Sequence, residues 1–129
     1  MTPSQLPFSP TDIPSPCFVV DGEGLRRNGQ ILHELRKESG AIVLLALKAF
    51  AMPSAFPLLR PYLDGTTASS VSEALLAGIH FGGGVHAYAV AYSQEDFERT
   101  CVLAHHITLN SLSQWQRFRP TAERFPQVS

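Results

Sequence analysis

Charge is scarce in this chain. Asp, Glu, Lys and Arg make up 16% of its 129 residues and the formal net charge is -1, where soluble domains typically carry about 25% charged residues. No basic block is present, which argues against nucleic acid or an anionic membrane as a partner. So little charge predicts that part of the surface is covered, either by a partner subunit or by further polypeptide. Cysteine is almost absent. Cys17 and Cys101 make no disulfide framework and no metal-ligand spacing, and both read as small buried apolar residues. The five histidines, His33, His80, His86, His105 and His106, form no ligand pattern, and the adjacent pair would point to opposite faces of a strand. No apolar run reaches membrane-spanning length, and the start of the chain lacks the basic and apolar regions of a signal peptide. A reducing, cytoplasmic setting is the expectation.

What the chain does contain is a short apolar run, residues 41–47, ended by Lys48. Its length suits a buried strand. Ile42, Leu44, Ala46 and Lys48 would share one face and Val43, Leu45 and Leu47 the other, both apolar, as in a parallel strand covered on both sides. Lys48 would then leave the sheet at its carboxyl end, with small Ala46 making room beside it. Two readings of Lys48 stand on spacing alone: a lysine that snorkels to water, or a desolvated amine nucleophile of lowered pKa.

The rest of the chain falls into a rhythm around this run. Residues 1–16 hold five of the ten prolines and read as an extended arm. Residues 17–20 suggest a short strand. Asp21 is placed to cap a helix over 23–39 with Ile31, Leu32 and Leu35 on one face, and Gly40 to end it. Pro53 opens a helix that buries Phe56, Leu59 and Leu63. A strand at 65–68 leads into a Ser70-x-x-Glu73 capping box and a helix with Val71, Ala74, Leu75 and Gly78 in register. A strand at 85–90 is followed by a Ser93 cap and a helix carrying Phe97, Cys101 and Ala104. A strand at 107–109 is followed by a Ser111 cap and a helix carrying Trp115, Phe118 and Ala122, which Pro120 should shorten or kink. Val128 reads as the start of another strand. Strand and helix alternate at roughly twenty-residue spacing, which predicts a parallel α/β sheet. Lys48, Thr67, Ser70, Tyr92 and Asn110 would lie on its carboxyl rim, where α/β chemistry is done. Tyr88 and Tyr92 read as aromatic core packing, with substrate contact the second option.

Three segments, Leu44-Leu-Ala-Leu-Lys48-Ala-Phe-Ala-Met52, Leu63-Asp-Gly-Thr-Thr-Ala-Ser-Ser70-Val-Ser-Glu73 and Asn110-Ser-Leu-Ser-Gln-Trp-Gln-Arg-Phe-Arg-Pro120, resemble the carboxynorspermidine decarboxylases. These belong to the alanine-racemase-like and ornithine-decarboxylase-like pyridoxal 5'-phosphate (PLP) enzymes. The likeness runs from about Cys17 to Phe118; a weaker Asp21…Leu25…Asn28 pattern is common to the wider superfamily. It implies the N-terminal half of a PLP-binding (β/α)8 TIM barrel, with residues 17–129 as a partial barrel domain behind the 1–16 arm. The resemblance makes Lys48 the lysine that binds PLP and the catalytic residue, overriding the snorkelling alternative. Thr67 and Glu73 match positions near the cofactor, but Thr67 stands where related decarboxylases have Asp. Glu73 is also explained as the capping partner of Ser70.

The implied activity is decarboxylation of carboxynorspermidine or carboxyspermidine in polyamine biosynthesis, by a cytoplasmic homodimer with no nucleic-acid or membrane partner. The family's phosphate-binding glycines, its acidic partner for the pyridine nitrogen and its partner-subunit residues have no match here, so this stretch alone is expected to be inactive. Two alternatives remain: a related PLP enzyme of other specificity (a diamino-acid decarboxylase or racemase), and a non-catalytic PLP-binding α/β module.

Overall fold

The computed structural model describes residues 8–129. Four strands, β1 (Leu44–Ala46), β2 (Gly65–Ala68), β3 (Gly84–Tyr88) and β4 (His106–Thr108), form one parallel sheet in sequential order. Helices α1 (Gly22–Ser39), α2 (Phe56–Leu59), α3 (Val71–Leu76), α4 (Gln94–Leu103) and α5 (Leu112–Ala122) alternate with them. This is the expected βα repeat. A π turn, Ala77–Phe81, extends α3, and a 3-10 turn, Pro53–Ala55, leads into α2.

Local chemistry explains the helix ends. Asp21 accepts from the Gly24 amide at 2.9 Å, and Ser70, Ser93 and Ser111 each accept from the amide three residues on, at 3.2, 3.0 and 3.2 Å. Gly40 ends α1 at φ 69°, a left-handed position that favours glycine. Pro120 lies inside α5 and does not cut it short. It stands near the carboxyl end and is exposed, so the carbonyl it leaves without a donor can turn to water.

The core lies between the sheet and the helices. Leu47, Phe56, Leu59, Leu63, Phe81, Val85 and Ala87 are buried together, with Val43, Leu45 and Ile107 packed against them. A second cluster stacks Phe97 on Phe118, with Tyr92 edge-on to both. The sheet edge at α1 is tied down by Asp64, which accepts from the Val43 amide at 2.9 Å and pairs with Arg36 at 2.8 Å. β2 and β3 approach so closely at Gly65 that a Cβ there would lie 2.1 Å from the Gly84 carbonyl oxygen.

Several expectations are corrected. The apolar run 41–47 gives only three strand residues, and its two faces are not both covered: Leu47 is buried while Ile42 is 66% exposed. Residues 17–20 form no strand; Phe18 is 98% exposed, and Cys17 is exposed where a buried thiol was expected. On α1 the inward residues are Leu25, Leu32 and Gly29, which lies under the Tyr62 ring, whereas Ile31 and Leu35 face outward. On α3 the buried row is Val71, Ala74, Ala77 and Phe81, not Leu75 and Gly78. Trp115 is 46% exposed beside an apolar cleft of about 240 Å³. Of the 1–16 arm, residues 1–7 lie outside the described residues, and the remainder includes a 3-10 turn, Pro10–Asp12, capped by Ser9. Near the expected strand at Val128, the Ser129 amide donates to the His105 carbonyl and the Ser129 carbonyl accepts from Ile107, as on a parallel edge.

Candidate active site

The sheet has one covered face and one open face. The covered face carries Leu45, Thr66, Val85, Ala87 and Ile107 toward the helices; the open face carries Leu44, Ala46, Thr67, His86, Tyr88, His106 and Thr108. The register sets Ala46, Thr67, His86 and His106 level in one row across the four strands.

Lys48 stands at the carboxyl end of β1. The last ladder bond runs from the Leu47 amide to the Thr67 carbonyl, at 3.1 Å. A tight turn follows, with the Ala49 and Phe50 amides both donating to the Ala46 carbonyl. Lys48 is exposed in this turn, so of the two readings that spacing allowed its side chain reaches water rather than lying desolvated. Among the described residues no carboxylate pairs with it, whereas Lys37, the other lysine of the chain, pairs with Glu34 at 3.5 Å. An exposed amine with no carboxylate partner among the described residues, two positions after small Ala46, fits a carbonyl-bearing cofactor that must bond covalently to a lysine.

Glu73 caps α3. Its carboxylate accepts from the Ser69 amide at 2.7 Å, one residue before the position a standard capping box uses, while its own amide donates to Ser70. Among the described residues it makes no ion pair. Ser69 and Ser70 also line a cleft of about 260 Å³ with Tyr92, Asp96 and Arg99. Tyr92 belongs to the core; its hydroxyl is buried with no hydrogen-bond partner among the described residues, and burial raises its pKa.

Two groupings were missed in the sequence. The His86 and His106 rings stack with centroids 4.4 Å apart. Partial burial, then the nearby His106 and His105, push the His86 pKa below its ordinary value. His105 turns the other way, its Nδ1 accepting from the Val85 amide at 3.2 Å. Spacing alone could not reveal this pair, since the partners sit on different strands. The second grouping is Tyr88, which is 37% exposed rather than core and donates its hydroxyl to Asn110 Oδ1 at 3.1 Å. Asn110 in turn donates its amide to Gln114 Oε1 at 2.9 Å, and Gln114 Nε2 donates to the Val90 carbonyl at 2.7 Å.

No family model matches the chain. Over 109 residues it is 47% identical to a carboxyaminopropylagmatine decarboxylase of Synechocystis sp., covering 84% of this chain and 28% of the relative. It is 43% identical to a carboxynorspermidine/carboxyspermidine decarboxylase of Herminiimonas arsenicoxydans, over 89% of this chain and 32% of the relative. The crystal structure of Campylobacter jejuni carboxynorspermidine decarboxylase complexed with norspermidine superposes with a TM-score of 0.83 at 34% identity, over 87% of this chain and 30% of that one. A D-threonine aldolase of Filomicrobium marinum shares the fold, with a TM-score of 0.72 at 16% identity. The resemblance to carboxynorspermidine decarboxylases therefore holds across most of the chain, which spans about a third of the length of these relatives.

Proposed function

We propose that this chain is the lysine-bearing part of a PLP-dependent decarboxylase of carboxylated polyamines, acting on carboxynorspermidine or carboxyspermidine. One observation carries this: in a chain similar to such decarboxylases, Lys48 follows β1 at its carboxyl end, exposed and with no carboxylate partner among the described residues. Residues 17–129 would form part of the barrel, behind the 1–16 arm. PLP, when bound, supplies the electron sink for the pair left behind as carbon dioxide departs. Lys48 would hold it covalently, and Thr67 would offer a neutral hydroxyl on the same face. Glu73 would fix the Ser69–Ser70 turn at the rim. The protein would be a cytoplasmic homodimer; its two cysteines, neither in a disulfide, suit a reducing compartment.

A second substrate is favoured by the 47% identity to a carboxyaminopropylagmatine decarboxylase. That compound would present the same reacting end with a guanidine on the arm.

The test is borohydride reduction of the chain with PLP, then peptide mapping. Label on Lys48 is expected. Label confined to Lys37, or none, overturns the assignment. Carbon dioxide release from the chain alone is expected to be nil for both substrates, and to appear on adding the remaining two thirds of the Herminiimonas relative as a separate polypeptide. Whichever substrate then turns over faster decides between them.

A further inference from the structure

We propose that Tyr88 is the residue of this face that receives an ammonium group of the polyamine arm, and that Asn110 and Gln114 hold it ready to do so. This rests on the decarboxylase assignment above.

Position is the first argument. Ala46, Thr67 and His86 are level across β1, β2 and β3. Tyr88 stands two residues beyond that row on β3, and Lys48 lies in the turn that follows Ala46 at the end of β1, with β2 between the two strands. Two strand spacings are about 10 Å. A polyamine reacting at Lys48 would extend its arm across the sheet over such a distance.

Hydrogen-bond chemistry is the second. The Tyr88 hydroxyl spends its proton on Asn110 Oδ1. What it presents outward is therefore an oxygen lone pair and an exposed ring face. Both attract a cation, and neither suits a carboxylate. The orientation is fixed from behind. The Asn110 amide is held by Gln114 Oε1, the Gln114 amide donates to Ser111 Oγ at 3.2 Å, and Gln114 Nε2 reaches the Val90 carbonyl. The end of β4 is thereby clipped to the segment after β3.

Charge is the third. The strand residues of the open face include no carboxylate. Titratable groups of this face and its rim include His86 and Tyr88 on β3, His106 on β4, Lys48 after β1, and Arg117, which lines a cleft with Gln114. Because His86 resists protonation, the face has neutral acceptors to offer an amine. Such acceptors recognise an ammonium without fixing its distance as an ion pair would.

The test is an NMR titration of the isotopically labelled chain with norspermidine, with a diol of equal length as the neutral control. Saturable shifts at the Tyr88 ring and the Asn110 side-chain amide are expected with norspermidine and not with the diol. Tyr88→Ala should weaken binding about tenfold or more. Tyr88→Phe should weaken it several-fold, because the ring remains while the lone pair is lost. Asn110→Ala should fall between these two, with the folded spectrum retained. Shifts confined to α1 around Glu34 and Glu38, no shifts at all, or wild-type binding by Tyr88→Ala would overturn the proposal. Borohydride labelling of the same sample keeps the two failures apart. A labelled Lys48 with unchanged Tyr88→Ala binding removes only the Tyr88 role. Shifts at Tyr88 without a Lys48 label support the amine contact and remove the decarboxylase assignment.

Discussion

The two faces of this sheet are made by the same four strands yet are built to different rules. Against the helices, Leu47, Phe56, Phe81 and Val85 are each at most 2% exposed, and the side chains are nearly all apolar. On the other side Ile42 is 66% exposed and Tyr88 37%, and the residues are a mixture of Thr, His and Tyr with small Ala46. The covered face supplies the stability of the unit through burial. The open face contributes little to it, and there residue types can be chosen for chemistry, as in the interior of a barrel at its carboxyl rim.

That contrast can be broken by mutation, most sharply with a matched pair. Phe56→Ala, on the covered side, should cost about 3–5 kcal/mol, as buried aromatic truncations do. Ile42→Ala, on the open side, should stay within about 0.5 kcal/mol, as surface changes do. Chemical denaturation of both variants measures this, and equal losses would mean that the open face is part of the core. Next in size is Gly65→Ala. A Cβ there meets the backbone oxygen of Gly84, which cannot rotate away, so β2 and β3 must separate. A loss of about 1–3 kcal/mol is expected from such overpacking, read from the same denaturation curves.

Smaller still is the cap. Glu73→Ala should cost about 1 kcal/mol, and Glu73→Gln less, because an amide oxygen can still accept from Ser69. If Glu73→Gln instead abolishes PLP labelling of Lys48 while the fold survives, Glu73 acts through its charge at the cofactor.

The smallest effect is one of pH. The folded-state pKa of His86 lies below its ordinary value of 6.5, so the unfolded chain binds the extra proton first. Stability should therefore be unaffected well above pH 6.5 and should decline as pH falls through that value. His86→Gln should flatten the decline without altering stability at neutral pH. Thermal melts across that range read the difference, and an unchanged slope in the variant would assign the decline to other groups.

Much of the fold was legible because it is locally encoded. Ser70, Ser93 and Ser111 announce three helix starts, each by the same bond to the amide three residues on. Where reading failed, the cause is geometric. The run 41–47 is apolar on both alternating faces, so its pattern cannot say which face the helices cover. Ile31 and Leu35 look like core residues of α1, but the contact with Tyr62 is made through Gly29, which has no side chain to announce it. Of the candidate site, Lys48 was singled out by its place at the end of an apolar run, and only its motif implied a role. Thr67 and Glu73 came with the motif, and the structure adds for Glu73 a bond to Ser69 rather than to Ser70's amide.

Sequence by itself determined the order of strands and helices, their caps and the lysine at the first strand's end, because each depends on residues within a few positions of one another. Tertiary structure alone decided which face stays open, that His86 meets His106, and that Tyr88 is held by Asn110. These partners lie about twenty residues apart on neighbouring strands, and only the parallel register brings them level. That register is set by how the helices pack the opposite face.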